Sequence, residues 1–488
     1  MGVFIARRFP KHALWNDDAT ALLKPDGGSL NTQALQALVG LGVQPVSILS
    51  ATPVPLGLFG QLADGRYLCY DFFPGSGGGR FRLALYDGDP TVDYSTANVT
   101  PLTQCDSRAP AGLLNTSGAA INYTAASIYH AWVAPNGDVF FVVVETGNFF
   151  HLYRAKAGTF TVGSDAGYTN KQAILSIGAE GGVHSAFIRV FCSRSLLFAK
   201  VGTATHIYMC EYNVSPGRTS GAGGAGHDQV IAWKSTDGGE TWTEFLKFNT
   251  AGSHVTDHLH GATQDPYTGW IYFMFGDNGA ENALIAYDGV SSPPAANSTF
   301  AQIHTTAGFR VISGSELHRY TDLCFGPQTV YSVPDADAES SDTGSIAYVS
   351  TVMPKTLDYV ASVAPVARLD NVPPAINLQT SGRAALCLSF LAGAAVSAGN
   401  PYIDLWSADS EGGSWTLIGR FTNQKAGASG VLRSLFEDSQ GRVWLGGTNY
   451  GSGFSFVASH NNNNYSSSMC LTLGQRAGAG TLFEWPGA

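Results

Sequence analysis

The sequence lacks the features that mark several common classes of protein. Only 13% of its 488 residues are charged, the formal net charge is −10, and no cluster of Lys and Arg is long enough to follow a phosphate backbone. No apolar run approaches the length of a membrane-spanning helix. From these absences we expect neither nucleic-acid binding nor membrane insertion.

Cysteine is also scarce and carries no recognisable pattern. The 7 cysteines are odd in number, widely spread and never arranged as Cys-x-x-Cys, which favours buried free thiols. No secretory apolar segment follows the Arg pair at positions 7 and 8. We therefore expect synthesis in a reducing cytoplasm, while the final location of the protein stays open.

Glycine and aromatic residues are abundant instead. The chain has 58 Gly, 27 Phe, 20 Tyr and 9 Trp, and this composition is typical of an all-β protein. Units made of an apolar strand, a Gly/Asp turn and a second apolar strand recur at a spacing of about 50–65 residues. Seven such units predict a seven-bladed β-propeller of four-stranded antiparallel blades, without helices longer than two or three turns. The units span Leu58–Asp87, Ala126–Tyr153, Ala186–Phe248, His258–Gly289, Tyr320–Ser350, Ala384–Phe421 and Val431–Val457.

The first 50 residues fit the repeat poorly. Pro10 and Pro25 lie in loop-like sequence around a short amphipathic helix candidate, Gln33–Val39. We therefore divide the chain into an N-terminal attachment arm, residues 1–50, and a propeller, residues 51–488. A strand near Ala51 or the C-terminal Leu482–Trp485 could close the ring.

The most specific motif is the octapeptide Ser235–Trp242, which reads Ser-Thr-Asp-Gly-Gly-Glu-Thr-Trp. An Asp side chain in such a turn accepts hydrogen bonds from turn amides, Gly supplies a positive φ, and the Trp packs on a neighbour. The pattern resembles the Asp-box of the sialidase-like (BNR-repeat) β-propellers, including uncharacterised bacterial and phage-borne proteins. That resemblance implies a structural role, remote from the channel, for Ser235, Asp237, Gly239, Thr241 and Trp242.

The resemblance does not extend to sialidase activity. The segments that carry it besides the octapeptide are His258–Gly269, Gly276–Asp277 and Gly314–Arg319. Sialidases also have an Arg-Ile-Pro motif near the N-terminus, and this sequence has none. Their arginine triad cannot be assigned from the sequence, so we do not predict a sialidase.

A histidine cluster is the best candidate for chemistry. His258 and His260 are two residues apart, so on a strand they would share one face, with Gln264 on the same face. This resembles propeller lyases acting on oligogalacturonate, which hold manganese with a His-x-His pair, another His and a Gln. The resemblance implies a metal site of His254, His258, His260 and Gln264. Asp257, which precedes His258 in the same cluster, is a candidate for binding. Histidines that line the channel or hydrogen-bond between blades are the commoner alternative.

A second polar cluster could face the same mouth of the channel. It contains Glu316, His318, Arg319, Tyr320 and Asp322, and its alternative interpretation is a polar network between blades. His130 could join either cluster. The catalytic candidates are thus His258, His260, His318, Arg319 and Tyr320, and the binding candidates are Asp257, Glu316 and Asp277.

Three classes of function follow. The preferred one is a non-enzymatic propeller module of a larger assembly, such as a phage fibre or decoration protein, that displays a glycan- or receptor-binding surface. It needs no cofactor, and its partners would be assembly proteins bound through the arm and a cell-surface glycan. The alternative is a polysaccharide lyase or glycoside hydrolase with a divalent metal such as manganese or calcium. The third is a cytoplasmic interaction scaffold.

Overall fold

The fold was determined as a computed structural model that describes part of the chain. The residues that it describes lie in 25 segments along the chain. The described residues are 21–23, 29–31, 46–73, 80–92, 95–101, 113–121, 127–144, 150–157, 171–177, 193–212, 229–249, 256, 259–276, 281–313, 320–325, 329–334, 346–354, 367–370, 375–381, 384–390, 402–408, 415–422, 434–446, 467–475 and 483–484.

The strands form antiparallel sheets in which chain neighbours pair, beside a small hairpin of β1 (Ala21–Leu23) and β2 (Ser29–Asn31). The first sheet comprises β4 (Gly57–Gln61), β5 (Tyr67–Phe73), β6 (Arg80–Tyr86) and β7 (Val99–Pro101). The second comprises β8 (Ser127–Val133), β9 (Val139–Val144), β10 (Phe150–Ala155) and β11 (Leu175–Ile177). The third comprises β12 (Leu196–Val201), β13 (Ala204–Cys210), β14 (Gln229–Ser235) and β15 (Thr243–Asn249).

The remaining sheets follow the same order along the chain. The fourth comprises β16 (Leu259–Gln264), β17 (Ile271–Phe275), β18 (Ala283–Tyr287) and β19 (Phe309–Ser313). The fifth comprises β20 (Tyr320–Phe325), β21 (Thr329–Pro334), β22 (Ile346–Pro354) and β23 (Ala367–Asp370). The sixth comprises β24 (Ala375–Ser381), β25 (Ala384–Phe390), β26 (Tyr402–Ala408), β27 (Trp415–Thr422) and β31 (Phe483–Glu484). The closing sheet comprises β28 (Ser434–Glu437), β29 (Val443–Gly446), β30 (Ser468–Gln475) and β3 (Val46–Val54).

The sheets surround an axis, which makes the chain an all-β propeller. The innermost strands β12, β16, β20, β24, β28, β4 and β8 contact one another in succession. A short 3-10 turn (η2, Ser193–Ser195) contacts both β8 and β16 and so continues the ring between its two ends. Sheets stacked in this way bury both of their faces. Strand β9 accordingly reads Val-Phe-Phe-Val-Val-Val: Phe140 packs toward the third sheet and Phe141 toward the first.

The predicted fold class, a seven-bladed β-propeller of four-stranded antiparallel blades, is right in its all-β propeller architecture but wrong in its blade organisation. In the described part of the chain only five sheets have a β-bulge in the innermost strand, namely those that begin with β4, β8, β16, β20 and β24. The sixth sheet has a fifth strand, because β31 pairs in parallel with the outer edge of β27. Exposed sheet edges invite further pairing, and sequence repeats alone did not reveal that this edge would be covered.

The N-terminal region, and not the C-terminus, closes the ring. Strand β3 pairs with β30 from Val46↔Gln475 to Val54↔Ser468, so it forms the outer strand of the closing sheet. The predicted boundary between arm and propeller at residue 51 therefore cuts through β3. The C-terminal strand that we considered for closure is β31. The helix candidate Gln33–Val39 lies outside the described residues.

Two equivalent glutamines link adjacent sheets at the last position of an innermost strand. The Gln61 side chain donates to the Gly65 carbonyl of its own hairpin (2.9 Å) and accepts from the Ser439 amide of the closing sheet (2.8 Å). Gln264 donates to the Gly269 carbonyl (2.9 Å) and bonds both the amide and the carbonyl of Lys200 in the third sheet (2.8 and 2.7 Å). Both amides thus satisfy backbone groups between sheets.

Helices are short in the described residues, as predicted. The α-helix α1 spans Phe300–Thr305, and Thr299 caps its N-terminus in a capping box with Gln302. A 3-10 turn, η1, spans Thr96–Asn98 and precedes β7. Within the described part of the chain, none of the helices has the length and apolar character needed to cross a bilayer.

Candidate functional site: the axial cavity

A cavity of about 300 Å³ lies where innermost strands of four sheets face the axis. Its volume is at the lower end of the range of small-molecule sites. Strands β4, β8, β12 and β28 supply its walls, together with η2. The described lining residues are Phe59, Gly60, Gln61, Trp132, Val133, Arg194, Phe198, Leu435, Phe436 and Glu437.

Four of the ten described lining residues are aromatic, and each of them packs against another aromatic or imidazole ring. His130 contacts the rings of both Phe59 and Trp132, with centroids 5.1 and 4.6 Å apart. His130 itself is buried, so these contacts hold two wall rings in fixed orientations. The sequence flagged His130 as a site candidate, and the structure places it behind the cavity wall.

The other two rings are supported in the same way. Phe198 packs on Phe140, with centroids 5.2 Å apart, and Phe436 stacks on the fully buried Trp444 at 6.4 Å. A wall of side chains locked by packing is preorganised, so a ligand loses little free energy to side-chain ordering when it binds.

An ion pair beside the cavity joins the third sheet to the fifth. Arg194 in η2 donates from Nε to Oδ1 of Asp322 on β20 at 2.8 Å, passing over the innermost strand β16 of the intervening sheet. Gly261 of β16 permits this path, because a Cβ there would lie 2.7 Å from the Cβ of Arg194. Asp322 is buried and also accepts the Leu323 amide at 2.8 Å. The bulge between Tyr320 and Asp322 sets the direction of this side chain.

His260 is fully buried and contacts neighbouring sheets. Its Nδ1 lies 2.7 Å from the carbonyl oxygen of Tyr320, and its ring stacks on Tyr212 with centroids 5.7 Å apart. This matches the alternative interpretation of the cluster, histidines that hydrogen-bond between blades. The other members predicted for it, His254, Asp257 and His258, lie outside the described residues.

Gln264 does not fit the predicted metal set. Its amide oxygen accepts from Lys200 and its amide nitrogen donates to two carbonyls, so both ends of the side chain are engaged by backbone. It also ends β16, whereas His260 lies near its start, roughly 13 Å away along an extended strand. The bulge at His260 breaks the alternation from which a shared face was predicted. Among the described residues no group of three or more His, Cys, Asp or Glu could hold a metal ion.

The second predicted cluster is described in part. Tyr320 is fully buried, and its main-chain carbonyl oxygen contacts Nδ1 of His260. Asp322 forms an ion pair with Arg194. Glu316, His318 and Arg319, together with Asp277, lie outside the described residues. Sequence reasoning missed Arg194, Phe59 and Phe436, because nothing local distinguishes an axis-facing side chain from any other residue of an apolar strand.

The octapeptide forms the local structure that its pattern predicts. Asp237 accepts from the amide of Thr241 (3.0 Å), from its hydroxyl (2.6 Å) and from the hydroxyl of Ser235 (2.8 Å). Gly238 and Gly239 have φ of 75° and 94°. The hydrogen bonds from Thr241 hold the pKa of Asp237 below its usual value. The hairpin joins β14 to β15, the outer strands of the third sheet, and Trp242 packs against the apolar cluster between the second and third sheets.

One buried carboxyl of the third sheet titrates unusually. Glu211 follows β13, is 1% exposed, and accepts a hydrogen bond from the indole N–H of Trp233. Burial raises the pKa of Glu211 to about 8, against which the Trp233 hydrogen bond acts. The raised pKa favours the protonated form of Glu211 at neutral pH.

Comparisons with known proteins leave the family of this chain open. No family model and no curated protein matches it. Among solved structures, the periplasmic gluconolactonase of Pseudomonas aeruginosa has a TM-score of 0.41 at 12% identity, covering 83% of this chain and 90% of that one. The C-terminal WD40 domain of Sif2 has 0.38 at 11% identity, covering 88% and 97%. The extracellular domain of an assumed one-component system from B. thetaiotaomicron has a TM-score of 0.41 at 11% identity. The match covers 87% of this chain but only 39% of the length of that one.

These likenesses are too weak to argue from. The β-propeller assignment rests on the chain's own sheets. Membership of the Asp-box family has no support from a family match and stays an expectation from the sequence.

Proposed function

We propose that this chain is a non-enzymatic binding module whose axial cavity takes a saccharide. The observation that carries the proposal is the set of four supported aromatic rings, Phe59, Trp132, Phe198 and Phe436, around a cavity of about 300 Å³. The C–H face of a sugar ring is apolar and packs on aromatic faces, while its hydroxyl groups need hydrogen-bonding partners at the rim.

Polar lining groups complement such a ligand. Arg194 and Glu437 are the charged residues among the described lining residues, whereas the Gln61 amide is engaged by Gly65 and Ser439. Hydrogen bonds to charged groups are stronger than neutral ones, which suits recognition of sugar hydroxyls. The wall thus combines apolar stacking surface with a few polar groups, as small-ligand sites generally do.

No described residue favours the lyase or glycoside hydrolase alternative. That alternative relied on Gln264 beside His260, and the Gln264 amide is engaged by Lys200 and Gly269. His254 and His258 lie outside the described residues and carry no argument. We therefore propose a binding module in preference to an enzyme.

Attachment to a larger assembly, such as a phage fibre, is part of the proposal and rests on the sequence before β3. Because β3 begins at Val46, the test is deletion of residues 1–40, which leaves the closing strand intact. We expect the shortened chain to fold and bind saccharide but to lose its place in the assembly. Normal incorporation of the shortened chain would remove the assembly part of the proposal.

The binding proposal is tested by calorimetric titration of a panel of neutral mono- and disaccharides. Phe436→Ala should weaken binding at least about tenfold, because it removes one stacking face. Trp270→Ala is the matched control, since Trp270 is partly buried in the hairpin of the fourth sheet, and it should leave affinity unchanged. Absence of binding, or equal losses in both variants, would refute the proposal. Depolymerisation of a polysaccharide would instead promote the enzyme alternative.

A further inference from the structure

We infer that Asp322 makes the axial cavity selective for neutral saccharides over acidic ones, by neutralising the one arginine on its described wall. This inference rests on the proposed saccharide site. Arg194 is the only cationic residue among the described lining residues, so it is the group that would attract a carboxylate. Arginine is well suited to that task, because its planar guanidinium pairs with carboxylates in a fixed geometry.

The arginine is already paired. Oδ1 of Asp322 lies 2.8 Å from Nε of Arg194, and the Asp322 side chain is 2% exposed, against 26% for Arg194. At this distance the two charges largely cancel for a ligand several ångströms away. Because the carboxylate is buried, solvent screens the attraction within the pair only weakly.

The pair is also fixed in place. The Leu323 amide donates to the same Asp322 oxygen at 2.8 Å, and Gly261 lets Arg194 lie directly over β16. A ligand carboxylate could recruit the guanidinium only by competing with Asp322, which would leave a buried carboxylate with less compensation. Displacement of the pair is therefore costly.

Glu437 also disfavours the binding of acidic sugars. Glu437 is one of the lining residues, so it adds negative charge to a wall whose arginine is paired with Asp322. An acidic sugar meets this charge at short range, whereas a neutral sugar uses Glu437 as a hydrogen-bond acceptor. Arg194 then serves hydroxyl groups as a donor and does not serve as an anion receptor.

The test compares matched ligands that differ in one group, such as a neutral disaccharide and the uronate in which a CH₂OH is oxidised to a carboxylate. The wild-type protein should bind the neutral sugar about tenfold or more tightly, a preference that weakens with added salt. Asp322→Asn keeps the shape and the acceptor for Leu323 but removes the charge. It should shift the preference toward the uronate by about tenfold or more.

Asp404→Asn is the matched control, because Asp404 is a buried carboxylate that pairs with Arg420 at 2.8 Å on strands β26 and β27. It should leave the preference unchanged. A wild-type preference for the uronate, or an unchanged preference in a folded Asp322→Asn protein, would overturn the role of Asp322 while leaving the saccharide site standing. Should Asp322→Asn fail to fold, the wild-type comparison and Glu437→Gln, expected to improve uronate binding, decide the matter. Binding of neither sugar would overturn the proposed function itself.

Discussion

Two junctions between sheets use the same chemistry in different surroundings. Where the closing sheet meets the first sheet, Asp438 accepts from the hydroxyl of Tyr67 (2.9 Å), the indole of Trp444 (2.9 Å) and Nε of Arg442 (2.8 Å). Arg442 also donates to Asp89 at 2.6 Å. The side chain of Asp438 is fully buried, so this closure junction is a satisfied polar network inside the protein.

Where the second sheet meets the third, the network reaches the surface. Arg154 donates to the carbonyl of Gly238 and to the carboxylate of Glu240, and its Nε lies 3.6 Å from Asp138. Lys156 adds a 3.0 Å contact to the same Glu240 carboxylate, whose side chain is 54% exposed. Water can reach the exposed Glu240 and Lys156 when one of them is removed, whereas the side chains of Arg154 and Asp138 are buried.

The difference in burial decides what each network contributes. Burial alone would raise the pKa of Asp438, but the hydrogen bonds from Trp444 and Arg442 outweigh it and hold the pKa below its usual value. A buried group that loses its partners is strongly destabilising, whereas exposed ion pairs contribute little. We therefore expect the ring to be most sensitive to mutation at the closure junction.

The largest effect should come from Asp438→Ala. It removes the buried carboxylate that Tyr67, Trp444 and Arg442 share and leaves Arg442 with Asp89 as its remaining carboxylate, and we expect a loss of about 3–5 kcal/mol in the free energy of unfolding. Urea unfolding measures it. Asp64→Ala is the control, since Asp64 and Arg66 form an exposed pair in the hairpin of the first sheet, and it should cost less than about 1 kcal/mol. Equal losses would show that burial does not separate the two networks.

The carboxylate of Asp438 should also make the stability of the protein depend on pH. Because the folded-state pKa of Asp438 lies below the unfolded value of 3.8, the folded protein binds fewer protons there, and its stability falls as pH drops below about 4. In thermal melts at a series of pH values, Asp438→Asn should reduce the loss of stability below about pH 4. An unchanged loss of stability in this variant would contradict the lowered pKa of Asp438.

Glu211→Gln should give the next largest effect, and it should stabilise. The folded state holds this proton up to a pKa of about 8, whereas the unfolded state releases it near 4.5, so stability falls with rising pH between these values. The neutral amide avoids that loss, which amounts to a few kcal/mol at pH 8. Melts at pH 5 and pH 8 measure it. A variant that is no more stable than wild type at pH 8 would contradict a protonated Glu211.

Asp237→Ala should have a moderate effect. It removes the acceptor for Thr241 and Ser235 in the outer hairpin, which should cost about 1–2 kcal/mol, as the loss of a capping side chain does. Saccharide affinity should stay constant, because the hairpin joins outer strands. Chemical unfolding and calorimetry measure the two quantities. Loss of binding with unchanged stability would mean that this hairpin belongs to the ligand site.

The smallest effect should come from Glu240→Gln. Its carboxylate contacts Arg154 and Lys156 at an exposed position, so removal of the charge should cost less than about 1 kcal/mol and less still at high salt. Unfolding at two ionic strengths measures it. A salt-independent loss as large as that of Asp438→Ala would make the two junctions equivalent.

Local structure was largely predictable from the sequence. The outer hairpin at Ser235–Trp242 and the turns at Gly65, Gly137 and Gly441 formed where Asp, Asn and Gly were spaced for them. Their hydrogen bonds close within about four residues, so few other parts of the chain can alter them. The all-β fold followed from the recurring apolar strands. The blade organisation did not, because bulges and the added edge strand β31 depend on neighbouring sheets.

The candidate site was decided by tertiary structure. Gln264 looked like a metal ligand from its spacing to His260, yet its partner is the backbone of Lys200, 64 residues away. Arg194 meets Asp322 across 128 residues, and Tyr67 meets Asp438 across 371. Such pairs have no signature in sequence spacing, because the packing of sheets around the axis, and not the local chain, brings them together. The sequence by itself thus determined the turns and strands, while the stacking of the sheets around the axis decided which side chains face the cavity.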